Sequence, residues 1–162
     1  MMTVNRLLPL VLAAGLLLGA CGGDGGDEEA PQPGGGPTVS TADTDLGEIL
    51  VDGKGMTVYL FEKDGPGTSR CDGACARVWP PLLTKGEPRA GGDADEALLG
   101  TTKRGDGSAQ VTYDGHPLYR FVKDSAPGDV NGNEVEGFGA EWYAVTPAGG
   151  KPQEETGQNN GY

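Results

Sequence analysis

Two ten-residue stretches of this chain share one pattern: GMTVYLFEKD at residues 55–64 and GHPLYRFVKD at residues 115–124. Gly, Tyr, Phe, Lys and Asp stand at the same positions in both stretches. Such internal similarity predicts two related structural units in one chain. A single hairpin with a loop is not stable alone in water. We therefore expect the two units to bury their apolar faces against each other.

Each copy begins with the signal for a strand, a turn and a second strand. In the second copy, residues 110–113 lead into Asp114 and Gly115, a dipeptide typical of a type I′ hairpin turn because both residues tolerate positive φ. In the first copy, residues 49–51 precede a longer Gly-rich turn. The pattern predicts an all-β fold, a small sandwich or barrel-like domain of two related hairpin-containing repeats, with one or two short helical turns.

Both copies contain a Tyr-x-Phe-x-x-Asp motif. Its residues are Tyr59, Phe61 and Asp64 in the first copy and Tyr119, Phe121 and Asp124 in the second. Because side chains alternate along a strand, each Tyr and Phe share one sheet face, which we expect to be the core. A buried tyrosine hydroxyl needs a polar partner. Each Asp follows the end of its strand, where we expect it to accept backbone N–H bonds and fix a turn.

Residues 1–20 have the features of a signal peptide. An n-region with one basic residue, Arg6, is followed at residues 7–18 by an apolar run. That run is shorter than the roughly 20 residues of a membrane-spanning helix, and it suits a signal-peptide core. Small residues and Cys21 come next, which resembles a bacterial lipobox. The resemblance implies that Cys21 is lipidated and becomes the mature N-terminus; a general secretory signal with an incidental Cys is the alternative.

Composition divides the rest of the chain into three parts. Residues 21–45 are acidic and rich in Gly and Pro, and such a segment buries too little apolar surface to fold, so it predicts a disordered tether behind the lipidated cysteine. Residues 46–146 hold the repeats, about 46–83 and 99–146, and have the length of one small domain. Residues 147–162 predict a disordered tail.

The charge of the chain limits its partners. Twelve Lys and Arg residues against 24 Asp and Glu residues give a net charge of −12 at pH 7. Such a charge disfavours nucleic acid and direct adhesion to anionic lipid. The expected partners are the membrane, reached through the lipid on Cys21, and an unidentified envelope protein or ligand. The expected location is the extracytoplasmic face of the bacterial cytoplasmic membrane.

Cys71 and Cys75 form a C-x3-C pair. Outside the cytoplasm such a pair is most simply a structural disulfide. A redox-active pair would need a lowered thiol pKa, and no Lys or His adjoins these cysteines. A zinc site would need further ligands, and His116 is the only histidine in the chain. The redox and metal interpretations are alternatives to the structural one.

Several further segments occur in a fixed order around the two motifs. They are YLFEKD at 59–64, CDGACARVWPPL at 71–82, QVTYDGHPLYRFVKD at 110–124, PGD at 127–129 and WYAV at 142–145. Together they resemble the secreted-repeat bacterial lipoproteins that carry a Yx(F/W/Y)xxD motif. The resemblance covers about 100 residues and implies the architecture and the extracytoplasmic location. The biochemical role of that family is unestablished, and some members are associated with envelope electron transfer.

Two constellations suggest metal or cofactor binding. Asp129, Asn131 and Asn133 alternate like calcium ligands in an EF-hand loop, although Glu134 stands where that loop needs Gly. Ordinary turn formation is the alternative interpretation. A Ca²⁺-stabilised partner-binding domain is the function that this constellation would imply.

Met56 and His116 occupy matching places, each directly after the glycine of its repeat. Methionine sulfur and imidazole nitrogen are ligands suited to haem iron or copper. An envelope electron-transfer accessory that binds haem or copper is therefore an alternative function. Exposed turn residues are the simpler interpretation of both positions.

No catalytic arrangement stands out in the sequence. A Ser-His-acid triad would have to use His116, and the chain has no GxGxxG segment and no P-loop. We therefore expect a protein that is not an enzyme. The interpretation that the sequence favours is a lipid-anchored, extracytoplasmic envelope protein acting as a non-catalytic binding or structural module.

Overall fold

A computed structural model describes residues 35–153. These residues form ten strands, one short α-helix and a 3-10 turn at Glu96–Leu98. The elements are β1 (Thr38–Thr44), β2 (Gly47–Asp52), β3 (Tyr59–Phe61), α1 (Ala74–Val78), β4 (Leu83–Thr84), β5 (Arg89–Ala90), β6 (Leu99–Lys103), β7 (Ala109–Tyr113), β8 (His116–Pro117), β9 (Val135–Gly137) and β10 (Ala140–Ala144). The small all-β domain with short helical turns that the sequence predicts is thereby confirmed. The predicted signal peptide and Cys21 lie outside the described residues.

The strands form three small sheets. Their orders are β2-β1-β5, β3-β10-β9 and β4-β7-β6, and β8 pairs with β7. The hairpin between β7 and β8 turns at Asp114 and Gly115, whose φ angles are 47° and 76°. These two positive values are those of the type I′ turn that the dipeptide predicts. Among residues 35–153, no helix has the length and apolar character needed to cross a bilayer.

The two repeats meet along a short antiparallel contact between their tyrosine backbones. The amide of Tyr59 donates to the carbonyl of Tyr119 at 2.8 Å, and the amide of Tyr119 donates back to the carbonyl of Tyr59 at 3.0 Å. Each repeat therefore offers the same residue of its motif to the other. This exchange relates the two halves by an approximate twofold axis.

Two rings of three backbone hydrogen bonds repeat the same relationship. One ring joins Leu50, Val58 and Val145, and the other joins Val111, Leu118 and Leu82. In each ring the third residue comes from the opposite repeat. All six side chains are buried in one apolar cluster. The apolar faces of the repeats thus close on each other, as neither hairpin could do alone.

The predicted tether ends earlier than expected. Strand β1 occupies residues 38–44 of the segment predicted to be disordered, so that part of the prediction is wrong. The strand pairs with β2 from Val39↔Asp52 to Thr44↔Gly47, and Val39 is fully buried. The prediction used the average composition of the whole segment, which is acidic and rich in Gly. Its last residues (TVSTADT) contain β-branched Thr and Val, which favour a strand.

The predicted tail also begins later than expected. The amide of Thr146 donates to the carbonyl of Gly150 at 2.7 Å, which closes a turn. Lys151 then forms a 3.0 Å ion pair with Glu62 and places its ammonium 4.2 Å from the ring centroid of Tyr143. Residues 147–153 therefore pack on the domain, because a long cationic side chain finds both a carboxylate and an aromatic face. Residues 154–162 lie outside the described part of the chain.

Candidate functional site

The two Tyr-x-Phe-x-x-Asp motifs interlock through their polar ends. The hydroxyl of Tyr59 donates to Oδ2 of Asp124 at 2.5 Å, and the hydroxyl of Tyr119 donates to Oδ2 of Asp64 at 2.6 Å. Each tyrosine thus pairs with the aspartate of the other repeat. Both tyrosines are fully buried, so each of these bonds satisfies a polar group that water does not reach.

The second oxygen of each aspartate holds the loop that follows its own strand. Oδ1 of Asp64 accepts the amide of Arg70 at 2.7 Å, and Oδ1 of Asp124 accepts the amide of Asn131 at 3.0 Å. Each carboxylate therefore fixes its own loop with one oxygen and the tyrosine of the opposite repeat with the other. The sequence points to the loop contact, whereas the exchange between repeats depends on the fold.

Burial governs the proton affinity of these four groups. It raises the pKa of both Asp64 and Asp124, although the tyrosine hydroxyl and backbone N–H bonds to each carboxylate act in the opposite direction. Burial, followed by the neighbouring carboxylate, raises the pKa of Tyr59 and of Tyr119 far above the usual tyrosine range. The tyrosines therefore remain neutral donors at physiological pH.

The apolar ends of the motifs interlock as well, in a row of four stacked rings. Phe61 stacks on Trp142 with ring centroids 4.0 Å apart, and Phe121 stacks on Trp79 at 4.1 Å. The two tryptophans stack on each other at 3.9 Å in the middle of the row. Every neighbouring pair in this row joins the first repeat to the second. Stacked aromatic pairs add to the free energy gained from burial alone.

A partly buried network around Arg104 holds the first loop. The Arg104 guanidinium donates to Ser69 Oγ at 2.8 Å, to Gln110 Oε1 at 2.6 Å and to the carbonyl of Cys71 at 2.5 Å. Ser69 Oγ lies 2.8 Å from the hydroxyl of Tyr119, so the network reaches one of the motif tyrosines. Sequence reasoning missed Arg104, because nothing local marks an arginine just after a strand as the partner of a distant loop.

Cys71 and Cys75 form a disulfide, as the sequence predicts. Cys75 lies in α1, and both sulfur-bearing side chains are buried in the cluster that contains the stacked rings. The disulfide thus holds the first loop against the aromatic row. The disulfide is shielded from solvent, as is typical of a structural bond.

The predicted calcium ligands hold the second loop by hydrogen bonds. Oδ2 of Asp129 accepts the amides of Ser125 and Ala126 at 2.7 and 3.0 Å, while Oδ1 of Asn133 accepts the amide of Ala144 at 3.0 Å. The amide nitrogen of Asn131 donates to Asp124 at 3.1 Å. The three side chains thus bond to different parts of the chain, and a calcium site at these residues stays a prediction.

Met56 and His116 occupy equivalent turns that contact different loops. The turn at Gly55 and Met56 lies beside Pro127 in the loop of the second repeat. The turn at His116 lies beside the first loop, where the amide of Gly67 donates to the carbonyl of Gly115 at 2.7 Å. The two turns therefore contact different loops, and joint binding of haem or copper by Met56 and His116 stays a prediction.

His116 instead borders a surface cleft. The cleft has a volume of about 400 Å³ and is lined in part by Glu62, Asp64, His116 and Lys151. Its charged groups belong partly to the interlocked motif and partly to the C-terminal turn.

Comparison with known proteins gives one match. A family model described as "Secreted repeat of unknown function" matches residues 40–83 and 100–146, which together make up more than half of the chain. The two matched segments coincide with the two repeats of the structure, and the first begins within β1. No curated protein and no solved structure matches the chain. The chain therefore belongs to this family of secreted repeats.

Proposed function

We propose that this protein is a lipid-anchored, extracytoplasmic module of the bacterial envelope that binds or positions a partner without catalysing a reaction. The match to a secreted-repeat family supports the location. The lipobox-like sequence that ends at Cys21 supports the anchor. The name of the matched family model, which is that of a lipoprotein family, agrees with it.

The reciprocal pairing of the two motifs is the observation that carries the non-catalytic part of the proposal. A general acid or base needs a proton that it can exchange with a substrate. Tyr59 and Tyr119 are fully buried, and each donates to a carboxylate of the opposite repeat. The most distinctive residues of the sequence are thus engaged with one another. Function then belongs to the surface that this scaffold displays.

Fractionation of cells that produce the full chain tests the anchor. We expect wild-type protein in the membrane fraction and labelled by a radioactive fatty acid, and Cys21→Ala unlabelled and released from the membrane. The control is the double variant Cys71→Ala/Cys75→Ala, which keeps Cys21 and loses only the disulfide. It should remain labelled and membrane-bound. Retention of Cys21→Ala in the membrane would overturn the anchored location.

Elemental analysis and a visible spectrum separate this proposal from the electron-transfer alternative. Protein purified from its own envelope should be colourless and free of stoichiometric iron and copper. A redox-active absorbance that disappears in Met56→Ala or in His116→Ala would overturn the proposal in favour of a haem or copper accessory. Thermal unfolding of both variants checks that the loss of absorbance is not a loss of fold.

A further inference from the structure

The hairpin between β9 and β10 turns on an exposed phenylalanine in a left-handed conformation. Phe138 and Gly139 have φ angles of 59° and 90°, which belong to a two-residue turn with positive φ at both positions. Asn, Asp and Gly suit such a turn, whereas the Cβ of a bulky residue makes the conformation unfavourable. Phe138 is 43% exposed, one of three large hydrophobic residues that reach this degree of exposure among residues 35–153.

The same hairpin places two carboxylates opposite each other. Glu136 of β9 is the direct cross-strand partner of Glu141 of β10, and both side chains are exposed. Like charges at directly opposite positions of a strand pair are unfavourable. Glu134, just before β9, has a φ of 59° and is exposed as well. One short hairpin therefore departs from local preference in its turn residue, its exposed ring and its charges.

The rest of the fold holds this hairpin in place. The indole N–H of Trp142 donates to the carbonyl of Gly137 at 3.2 Å, and Lys63 donates to the carbonyl of Phe138 at 3.1 Å. The hydroxyl of Tyr143 donates to Glu141 at 2.7 Å and orients that carboxylate. These contacts hold the tip in one conformation, so less conformational entropy is lost when a partner binds it.

We propose that this hairpin tip is a docking element for an extracytoplasmic protein. Phe138 inserts into an apolar pocket of that partner, and Glu136 and Glu141 pair with Lys or Arg residues on the rim of the pocket. Natural sequences commonly break local rules at functional sites, where the cost is offset elsewhere in the fold. The inference rests on the proposed envelope location and deepens it by naming the chemistry of the partner.

Charge complementarity selects this partner over other apolar surfaces. An anionic membrane surface would repel the carboxylates that flank Phe138. A second copy of this chain, with its net charge of −12, would bring like charges together. A cationic protein surface would offset the repulsion between Glu136 and Glu141 by pairing each carboxylate with a positive charge across the interface.

The first test is the substitution Phe138→Asn in the full chain. Asn tolerates positive φ, so we expect the melting temperature to rise by roughly 4 °C. If the ring instead had a packing role, the same substitution would lower the melting temperature, and that result would overturn the proposal. The matched control is Val122→Asn, because Val122 is 54% exposed and has no positive φ. It should leave the melting temperature unchanged.

The second test is site-specific crosslinking in intact cells with the photoreactive residue benzoylphenylalanine. Placed at position 138 it should give one discrete adduct with a different protein, and placed at position 122 it should not. In isolated envelopes, added salt should weaken the adduct. Purified wild-type protein, added as a competitor, should reduce formation of the adduct. The double variant Glu136→Gln/Glu141→Gln should need a concentration at least tenfold higher for the same reduction.

The remaining outcomes overturn the docking proposal. They are no adduct at position 138, equal adducts at both positions, a dimer of this chain, a lipid adduct, or equal competition by the double variant. Membrane retention is measured on the same cells. If the protein is retained in the membrane but gives no adduct, the docking site alone is overturned. If Cys21→Ala is retained in the membrane like the wild type and still gives the adduct, the anchor alone is overturned.

Discussion

Trp79 and Trp142 lie face to face at the centre of the domain, with ring centroids 3.9 Å apart and an angle of 1° between their planes. One ring belongs to the first repeat and the other to the second. Tyr59 meets Trp79 edge-on at 5.4 Å, and Tyr119 meets Trp142 edge-on at 5.1 Å. The contact between the tryptophans therefore marks the axis that relates the two halves.

This position predicts that either tryptophan is indispensable to both repeats. Trp79→Ala and Trp142→Ala should each lower the free energy of unfolding by about 3–5 kcal/mol, because each leaves a cavity next to the same stack. Urea unfolding followed by circular dichroism measures the change. A loss below about 1 kcal/mol in one variant would show that the stack is not shared. Val122→Ala, at an exposed position, is the control.

The exchange of hydroxyl and carboxylate between repeats predicts which residues couple energetically. Tyr59→Phe and Asp124→Asn should show a coupling energy of about 0.5–3 kcal/mol in a double-mutant cycle, because the two groups share one hydrogen bond. Tyr59→Phe and Asp64→Asn, from the same motif, should be close to additive. Larger coupling within one motif than between motifs would contradict the reciprocal arrangement.

The raised pKa values of the motif aspartates predict a pH dependence. Because burial raises the pKa of Asp64 and of Asp124 above the ordinary value of 3.8, the folded protein holds these protons where the unfolded chain has released them. The stability that they contribute is full below the unfolded pKa and is lost as the pH rises through the folded pKa. Over that window, the free energy of unfolding should fall more steeply with pH in wild type than in Asp64→Asn/Asp124→Asn.

Asp129 supplies the control of opposite sign. Hydrogen bonds from Ser125 and Ala126 lower the pKa of Asp129, so its contribution is present above the unfolded pKa and is lost as the pH falls. Asp129 makes the free energy of unfolding rise with pH, and Asp129→Asn should remove that rise. Parallel pH profiles for wild type and the Asp64/Asp124 double variant would contradict the assigned direction.

The close approach of Gly132 to the aromatic row predicts a steric effect. A Cβ at Gly132 would lie 2.8 Å from Cε1 of Tyr59 and 2.9 Å from Cη2 of Trp79. Gly132→Ala should cost about 1–3 kcal/mol, since these buried rings have no room to move. A Cβ at Gly105 would meet no atom within 4 Å, so Gly105→Ala should change stability by less than about 0.5 kcal/mol. Thermal or urea unfolding compares the two.

The features that the sequence predicts are those encoded locally. Asp114 and Gly115 specify their own turn, and the two-residue spacing of Tyr59 and Phe61 specifies a shared buried face. The disulfide follows from the expected extracytoplasmic location, where a close pair such as Cys71 and Cys75 is most simply oxidised. Such signals are readable because the physical cause lies within a few residues.

The features that the sequence does not reveal depend on contacts between distant segments. The partner of Tyr59 is Asp124 rather than Asp64, and a hydroxyl–carboxylate bond leaves no trace in the spacing of either motif. Arg104 likewise serves a loop more than 30 residues away. Phe138 was missed because its Phe-Gly dipeptide lies in a stretch that looks like an ordinary polar loop. Its φ angle and the exposure of its ring, which only the structure gives, show that Phe138 is unusual.

The reciprocal exchange makes this chain equivalent to a dimer whose two subunits have been fused. In a protein with one repeat, the same tyrosine–aspartate bonds and ring contacts would have to form between two molecules, and assembly would depend on concentration. Covalent linkage turns that encounter into an intramolecular step. The folded state of this chain is therefore independent of how many copies the cell makes.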